Sequence, residues 1–231
     1  MAIVWFLKGD LLEYRRFKRL PDTASRQKTY RLWIAKAAIA FALPALIGLA
    51  LLGRLDALFA IPLEFEGLRA SLPDFAGSSP AFILGTIGGG AAGGLAIGAV
   101  LAVRRVRGFR KPIGNVGSLL PRNRPEIAHA AAMAIAAGVT EELAFRLFLP
   151  LLIALVTGNA FIAFGVATAA FGAMHLYQGW AGVIATTIVG GLMAAVYLMT
   201  GSLWLAMVLH ALIDLNALVL RPMLTGAWRA A

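Results

Sequence analysis

Apolar runs of about 20 residues, each long enough to carry a helix across a hydrocarbon core roughly 30 Å thick, recur along most of this chain. They extend over about Leu32 to Leu52, Ala81 to Val103, Glu126 to Gly158, Ala160 to Tyr177, Trp180 to Met199 and Ser202 to Leu220. This pattern predicts an all-α, polytopic transmembrane helical bundle of about six main spans, with an interfacial helix at the N-terminus. Composition agrees: 60% of the 231 residues are apolar and 14% charged, against near 45–50% and about 25% in soluble domains.

The runs are separated by local turn signals, Gly158-Asn159, Gln178-Gly179 and Thr200-Gly201. Pro44 inside the first run predicts a kink. The stretch from Glu126 to Gly158 is too long for one perpendicular crossing and is interrupted by Glu141, Glu142, Arg146 and Pro150, so it reads as one long helix, tilted or broken. In the second run Gly90, Gly94 and Gly98 recur at four-residue spacing and form a flat face for close helix packing. Gly88-Gly89-Gly90 is followed by Ala91 and Ala92, not by the Lys and Ser or Thr of a phosphate-binding loop.

The formal charge of +10 does not point to nucleic acid, because the basic residues lie in blocks that flank apolar runs, where they set topology. Arg104 to Arg124 holds seven basic residues and no acid, whereas Gly53 to Pro80 holds Asp56, Glu64, Glu66 and Asp74 against Arg54 and Arg69. The basic side is read as cytoplasmic. An even number of crossings then places both termini there, in agreement with the basic N-terminal block and with Arg221 and Arg229. Leu11 to Leu20, with Tyr14, Arg15, Arg16, Phe17, Lys18 and Arg19, mixes basic and apolar residues as a helix lying against anionic lipid does. Met1 to Lys8 has neither the apolar length nor the cleavage site of a signal peptide. The expected organisation is a basic interfacial segment over 1–31, two transmembrane helices with their loops over 32–125, a functional core over 126–220 and a cytoplasmic tail over 221–231, in a multi-pass protein of the cell membrane. Absence of cysteine excludes disulfides, thiolate metal sites and a cysteine nucleophile.

Inside the core run three polar clusters. Ionisable side chains in hydrocarbon cost several kcal/mol unless they pair or line a wet cavity, so they mark function by default. On a helix Glu142 and Arg146, four apart, share a face and can pair, while Glu141 is rotated by about 100° and is left free to act as a general base. A buried knot of both carboxylates on Arg146 is the competing arrangement. Phe171 and His175 likewise share a face, so Phe171 can shape a pocket wall beside the imidazole. His210 and Asp214 lie one turn apart, and Asp214 is placed to accept from an imidazole nitrogen and so select the tautomer. For His175 the competing role is an interfacial histidine reaching water, and for His210 and Asp214 it is a hydrogen bond between helices that holds the bundle together.

The order Glu-Glu-x-x-x-Arg (Glu141, Glu142, Arg146), Phe-x-x-x-His (Phe171, His175) and His-x-x-x-Asp (His210, Asp214) resembles the CAAX protease and bacteriocin-processing family of intramembrane glutamate proteases, in its bacterial branch. The three motifs fall within about Glu126 to Leu220, under half of the chain. The resemblance implies an endopeptidase in which Glu141 activates water, His175 holds that water or shares its proton, and the third motif stabilises the oxyanion. A cofactor is not expected, and a metal is possible but not implied. Prenyl-protein endopeptidases of the family carry Asn where this chain has Asp214, and an ionised Asp would repel an oxyanion. The expectation is that Asp214 is protonated or acts by orienting His210. Resemblance to the prenyl-protein endopeptidases implies C-terminal trimming of lipidated proteins, but the short, Ala-rich chain looks bacterial, and the substrate expected is a membrane protein or peptide.

Other chemistries fit less well. The His-Glu-x-x-His zinc motif is absent, Ser202 suits a helix cap better than a nucleophile, and an aspartyl dyad would need a second intramembrane Asp beside Asp214. From other classes, a non-catalytic scaffold, a bacteriocin-immunity-type binding protein and a proton-coupled transporter all remain open on sequence grounds.

Overall fold

In a computed structural model of the chain, residues 2–72, 85 and 114–225 are described. The expected second run with its glycine repeat, Asp74, the basic residues from Arg104 to Lys111 and the terminal Arg229 lie outside them. The described residues are helical with no strand, so the all-α membrane bundle expected from sequence is the observed architecture. Helix α1 covers Ala2–Phe17 and α2 covers Thr23–Leu51. After short helical turns and the irregular segment from Gly114 come α3 (Arg124–Glu142), a π-helical stretch (Leu143–Phe148), α4 (Leu149–Thr157), α5 (Ala160–Met174), α6 (Trp180–Thr200) and α7 (Leu203–Leu224). Three of these, α2, α6 and α7, are long and apolar enough to cross a membrane, and α5 is a shorter apolar helix.

The helix ends follow from local chemistry. Asp22, Asn123, Asn159 and Ser202 each accept a hydrogen bond from the backbone N–H three residues on, at 2.7, 3.1, 3.1 and 3.2 Å, which satisfies a donor the first helical turn leaves unpaired. Gly158 (φ 66°) and Gly201 (φ 68°) close the preceding helices in the left-handed conformation, and each is followed at once by the next cap. The turn at Gly158 is therefore tight. Glu142 precedes it by 16 residues and His175 follows it by 17, so two antiparallel arms bring both to the same depth.

Prolines leave a second mark. Three π-helical stretches among the described residues, Ala38–Ala42, Leu143–Phe148 and Asn216–Leu220, each end two residues before a proline: Pro44, Pro150 and Pro222. A proline has no N–H for the carbonyl four residues back and its ring crowds that carbonyl. In each case that carbonyl lies inside the π stretch, whose wider turn relieves the conflict. The kink expected at Pro44 thus takes the form of a wide turn before it, and the long run from Glu126 continues through Pro150 with Arg146 on the widened turn.

The most extensive helix contact is between α3 and α7. At its centre Gly138 lies against the backbone of Ala211: a Cβ built on the glycine would stand 2.6 Å from the Ala211 nitrogen and 2.9 Å from its Cα. One apolar core gathers Leu49, Phe65, Leu147, Leu151, Phe164, Tyr197 and Met207, and another gathers Tyr14, Phe17, Tyr30, Leu119 and Leu218. The outward faces are equally apolar. Ile184, Ile188 and Leu192, one turn apart on α6, are each more than half exposed, the pattern of a helix facing lipid tails.

The N-terminal region is tied into the bundle by side chains. Arg26 and Glu126 are fully buried and joined at 2.9 Å. Arg26 also donates to the Ser118 and Leu120 carbonyls at 3.1 and 3.0 Å, and the Arg122 backbone N–H donates to Glu126 at 3.0 Å. Arg26 therefore faces the protein and not lipid headgroups. On α1, Tyr14 and Phe17 are buried, with the Tyr14 hydroxyl donating to the Asn115 carbonyl and its ring 5.2 Å from Tyr177.

Candidate active site

Glu142 is the hub of the polar cluster. One carboxylate oxygen accepts from His210 Nδ1 at 2.7 Å, and the other lies 3.1 Å from Arg146 Nε. Both Glu142 and Arg146 are fully buried, where an isolated charge would be costly and a pair is required. The Arg146 guanidinium also lies 4.4 Å over the Phe171 ring, a cation–π contact. Among the described residues none of its guanidinium nitrogens has a hydrogen-bond partner, nor has Glu142 Oε2, so the two meet as an ion pair.

Glu141 points elsewhere. Its Oε2 lies 3.9 Å from His210 Nε2, beyond a direct hydrogen bond, and has no hydrogen-bond partner among the described residues. Asp214 Oδ2 approaches the same imidazole nitrogen to 3.8 Å. Here the structure corrects the expectation that Asp214 selects the tautomer of His210. Glu142 does so, from another helix, by holding Nδ1 as the donor. Nε2 is then the nitrogen that faces both Glu141 and Asp214.

His175 sits just past the end of α5 with φ −95° and ψ 17°. Its Nδ1 donates to the Phe171 carbonyl at 2.8 Å, so in the neutral ring Nε2 carries the lone pair. The Phe171 ring links the two histidines, with centroids 4.8 Å from His175 and 5.9 Å from His210. The structure thus gathers Glu141, Glu142, Arg146, Phe171, His175, His210 and Asp214 from α3, the π stretch, the end of α5 and α7. Among the described residues, no three His, Asp or Glu side chains are placed to hold a metal ion together.

Two participants have no signal in the motifs. Gly190 on α6 allows Phe171 and Arg146 to approach, since a Cβ there would stand 2.8 Å from Phe171 Cδ1 and 3.6 Å from an Arg146 terminal nitrogen. Tyr177 lies 5.9 Å from the His175 ring and joins it to Tyr14 of α1. The sequence around Gly190 is one of many glycine-containing apolar stretches, and nothing in its local pattern separates it from the others.

Comparison with curated proteins gives no match, and comparison with solved structures gives none. Comparison with family models gives a match over residues 123–216, to the Rce1-like family, described as type II CAAX prenyl endopeptidase Rce1-like. The matched segment runs from the cap of α3 into α7 and contains every residue of the cluster just described. This is a protease family, and the apolar helices make the protein a multi-pass membrane protein. Over residues 123–216, under half of the 231, this chain is similar to the Rce1-like family.

Proposed function

We propose that the protein is an intramembrane endopeptidase that hydrolyses a peptide bond of a membrane-associated protein or peptide with water activated by Glu141. The observation that carries this reading is the division of labour between adjacent carboxylates: Glu142 is fully buried, 2.7 Å from His210 Nδ1 and 3.1 Å from Arg146 Nε, while the Oε2 of Glu141 stands off at 3.9 Å from His210 Nε2. A committed carboxylate orients its neighbours; an uncommitted one can take a proton. Glu141 removes a proton from water as the oxygen attacks the scissile carbonyl, and the proton passes to the leaving amine. His175 Nε2, with Nδ1 engaged by Phe171, accepts a hydrogen bond from the same water.

His210 supports the other half of the reaction. Held by Glu142 through Nδ1, it presents Nε2 between Glu141 and Asp214. When doubly protonated it donates from Nε2 to the oxyanion, and a protonated Asp214 adds a second donor. Donors fixed in advance in a site of low dielectric are worth roughly 10²–10³ each in rate, and a positioned general base roughly 10²–10⁴. The cluster supplies both without a covalent nucleophile. The site is assigned to the cytoplasmic half of the bundle, with residues 126–220 as the catalytic core of a cell-membrane protein.

The test is Glu141→Gln, which keeps shape and hydrogen bonding and removes the base. Membranes carrying the native and the variant protein are compared for uncleaved membrane peptides, and a peptide so found is assayed with the purified protein in micelles. Cleavage should fall by about 10²–10⁴ with unchanged thermal unfolding. Equal activity of the two would sink the peptidase reading in favour of a scaffold.

A further inference from the structure

We infer that Gly138 is a positioning residue of the site: the lack of a side chain there lets α3 and α7 touch, and this contact sets the hydrogen bond between Glu142 and His210. Gly138 stands one helical turn before Glu142 on the same face, and the residue it meets, Ala211, follows His210 directly. The crossing of the two backbones and the 2.7 Å bond between the two side chains are therefore neighbouring parts of one contact. Its bearing on catalysis rests on the peptidase reading above; its bearing on geometry does not.

A methyl group at Gly138 would stand 2.6 Å from the Ala211 nitrogen and 2.9 Å from both Cα and Cβ. Ordinary contact between such atoms needs about 3.5 Å or more. The obstructing atoms are helix backbone, which cannot rotate aside, so the helices must part locally by about 1 Å. The side chains have little slack to follow. Glu142 is held on its other oxygen by Arg146 and is fully buried, and the His210 ring is backed by Phe171. Gly165 and Gly191 provide the contrast, since a Cβ on either meets no atom within 4 Å among the described residues. Glycine at those positions is not required by a helix crossing.

The experiment uses the full chain with ¹⁵N-labelled histidine in micelles. The chain has three histidines, and the His210 signals are assigned by their loss in His210→Asn. In Gly138→Ala the hydrogen-bonded Nδ1 proton signal of His210 should weaken or disappear while cooperative unfolding persists. Peptidase kcat should fall about 100-fold, the scale of a 1 Å misplacement, at unchanged KM. Ala211→Val pushes the same crossing apart from the other side and should act alike, whereas Gly191→Ala should change neither readout. A folded Gly138→Ala protein that keeps the native His210 signal overturns the inference, whatever its activity. Should both Gly138→Ala and Ala211→Val fail to fold, the crossing serves the fold at large and the inference fails too. Absence of peptidase activity in the native protein would instead overturn the peptidase reading and leave the histidine signal to decide the role of Gly138.

Discussion

Replacing Arg146 by methionine isolates what the buried guanidinium contributes. Arg146 and Glu142 are both fully buried with Nε and Oε2 3.1 Å apart, so removing the cation leaves Glu142 with His210 as its one remaining partner among the described residues. Breaking a buried pair in this way costs about 3–5 kcal/mol, and the loss of the contact with Phe171, at 4.4 Å, adds about 1–2 kcal/mol. For a chain of 150–250 residues each kcal/mol corresponds to roughly 2–4 °C. Arg146→Met should therefore unfold at least about 8 °C below the native protein in a thermal melt in micelles. The informative partner is the double variant Arg146→Met/Glu142→Gln. It removes the stranded charge while leaving an amide oxygen to accept from His210 Nδ1, so most of the lost stability should return. Peptidase activity should stay low, because a neutral amide holds His210 less firmly than a carboxylate does. The reasoning is refuted if the single variant melts with the native protein, or if the double variant is no more stable than the single one.

Two further outcomes can be checked directly. Gly190→Ala should reduce cleavage about tenfold, by crowding a ring atom 2.8 Å away, and the added change Phe171→Leu should relieve the stability part of the defect but not the activity part; full activity in Gly190→Ala would show that the ring has room to move. Arg54 donates to both oxygens of Glu64 at 2.7 Å and holds its carboxyl below the ordinary glutamate value. Because the folded-state value is the lower one, this contribution is complete above the unfolded-state value and is lost as pH falls through the folded-state value. With both side chains about a quarter exposed, it should be worth at most about 1 kcal/mol, and Glu64→Gln should remove that much of the acid-range slope in unfolding measurements. A slope unchanged by Glu64→Gln would refute the assignment.

Much of the local structure is legible residue by residue. The caps Asn123, Asn159 and Ser202 and the stops at Gly158 and Gly201 depend on neighbours within four positions, so the helix boundaries they create can be read from the chain. The pairing of Glu142 with Arg146 is of the same kind, because both lie on one face of one helix. The link between prolines and wide turns is also local, and Pro150 shapes the very turn that carries Arg146. The α1 helix shows the opposite case. Its basic and apolar mixture suits a lipid surface, yet Tyr14 and Phe17 are buried against residues more than a dozen positions away.

What the order of residues determined on its own is the solvent the chain requires and the set of groups available for chemistry: apolar runs demand a membrane, and within them only a few ionisable residues exist to be used. Tertiary structure alone decided which of these groups hold one another. His210 has Asp214 four positions away, yet its close hydrogen bond goes to Glu142, 68 positions away, and Arg26 finds Glu126 at a separation of 100. The physical reason is that spacing along one helix brings side chains only to the same face. A buried carboxylate and imidazole meet at 2.7 Å when two helices approach closely enough, and that approach depends on backbone contact at Gly138 and Ala211, which no motif encodes.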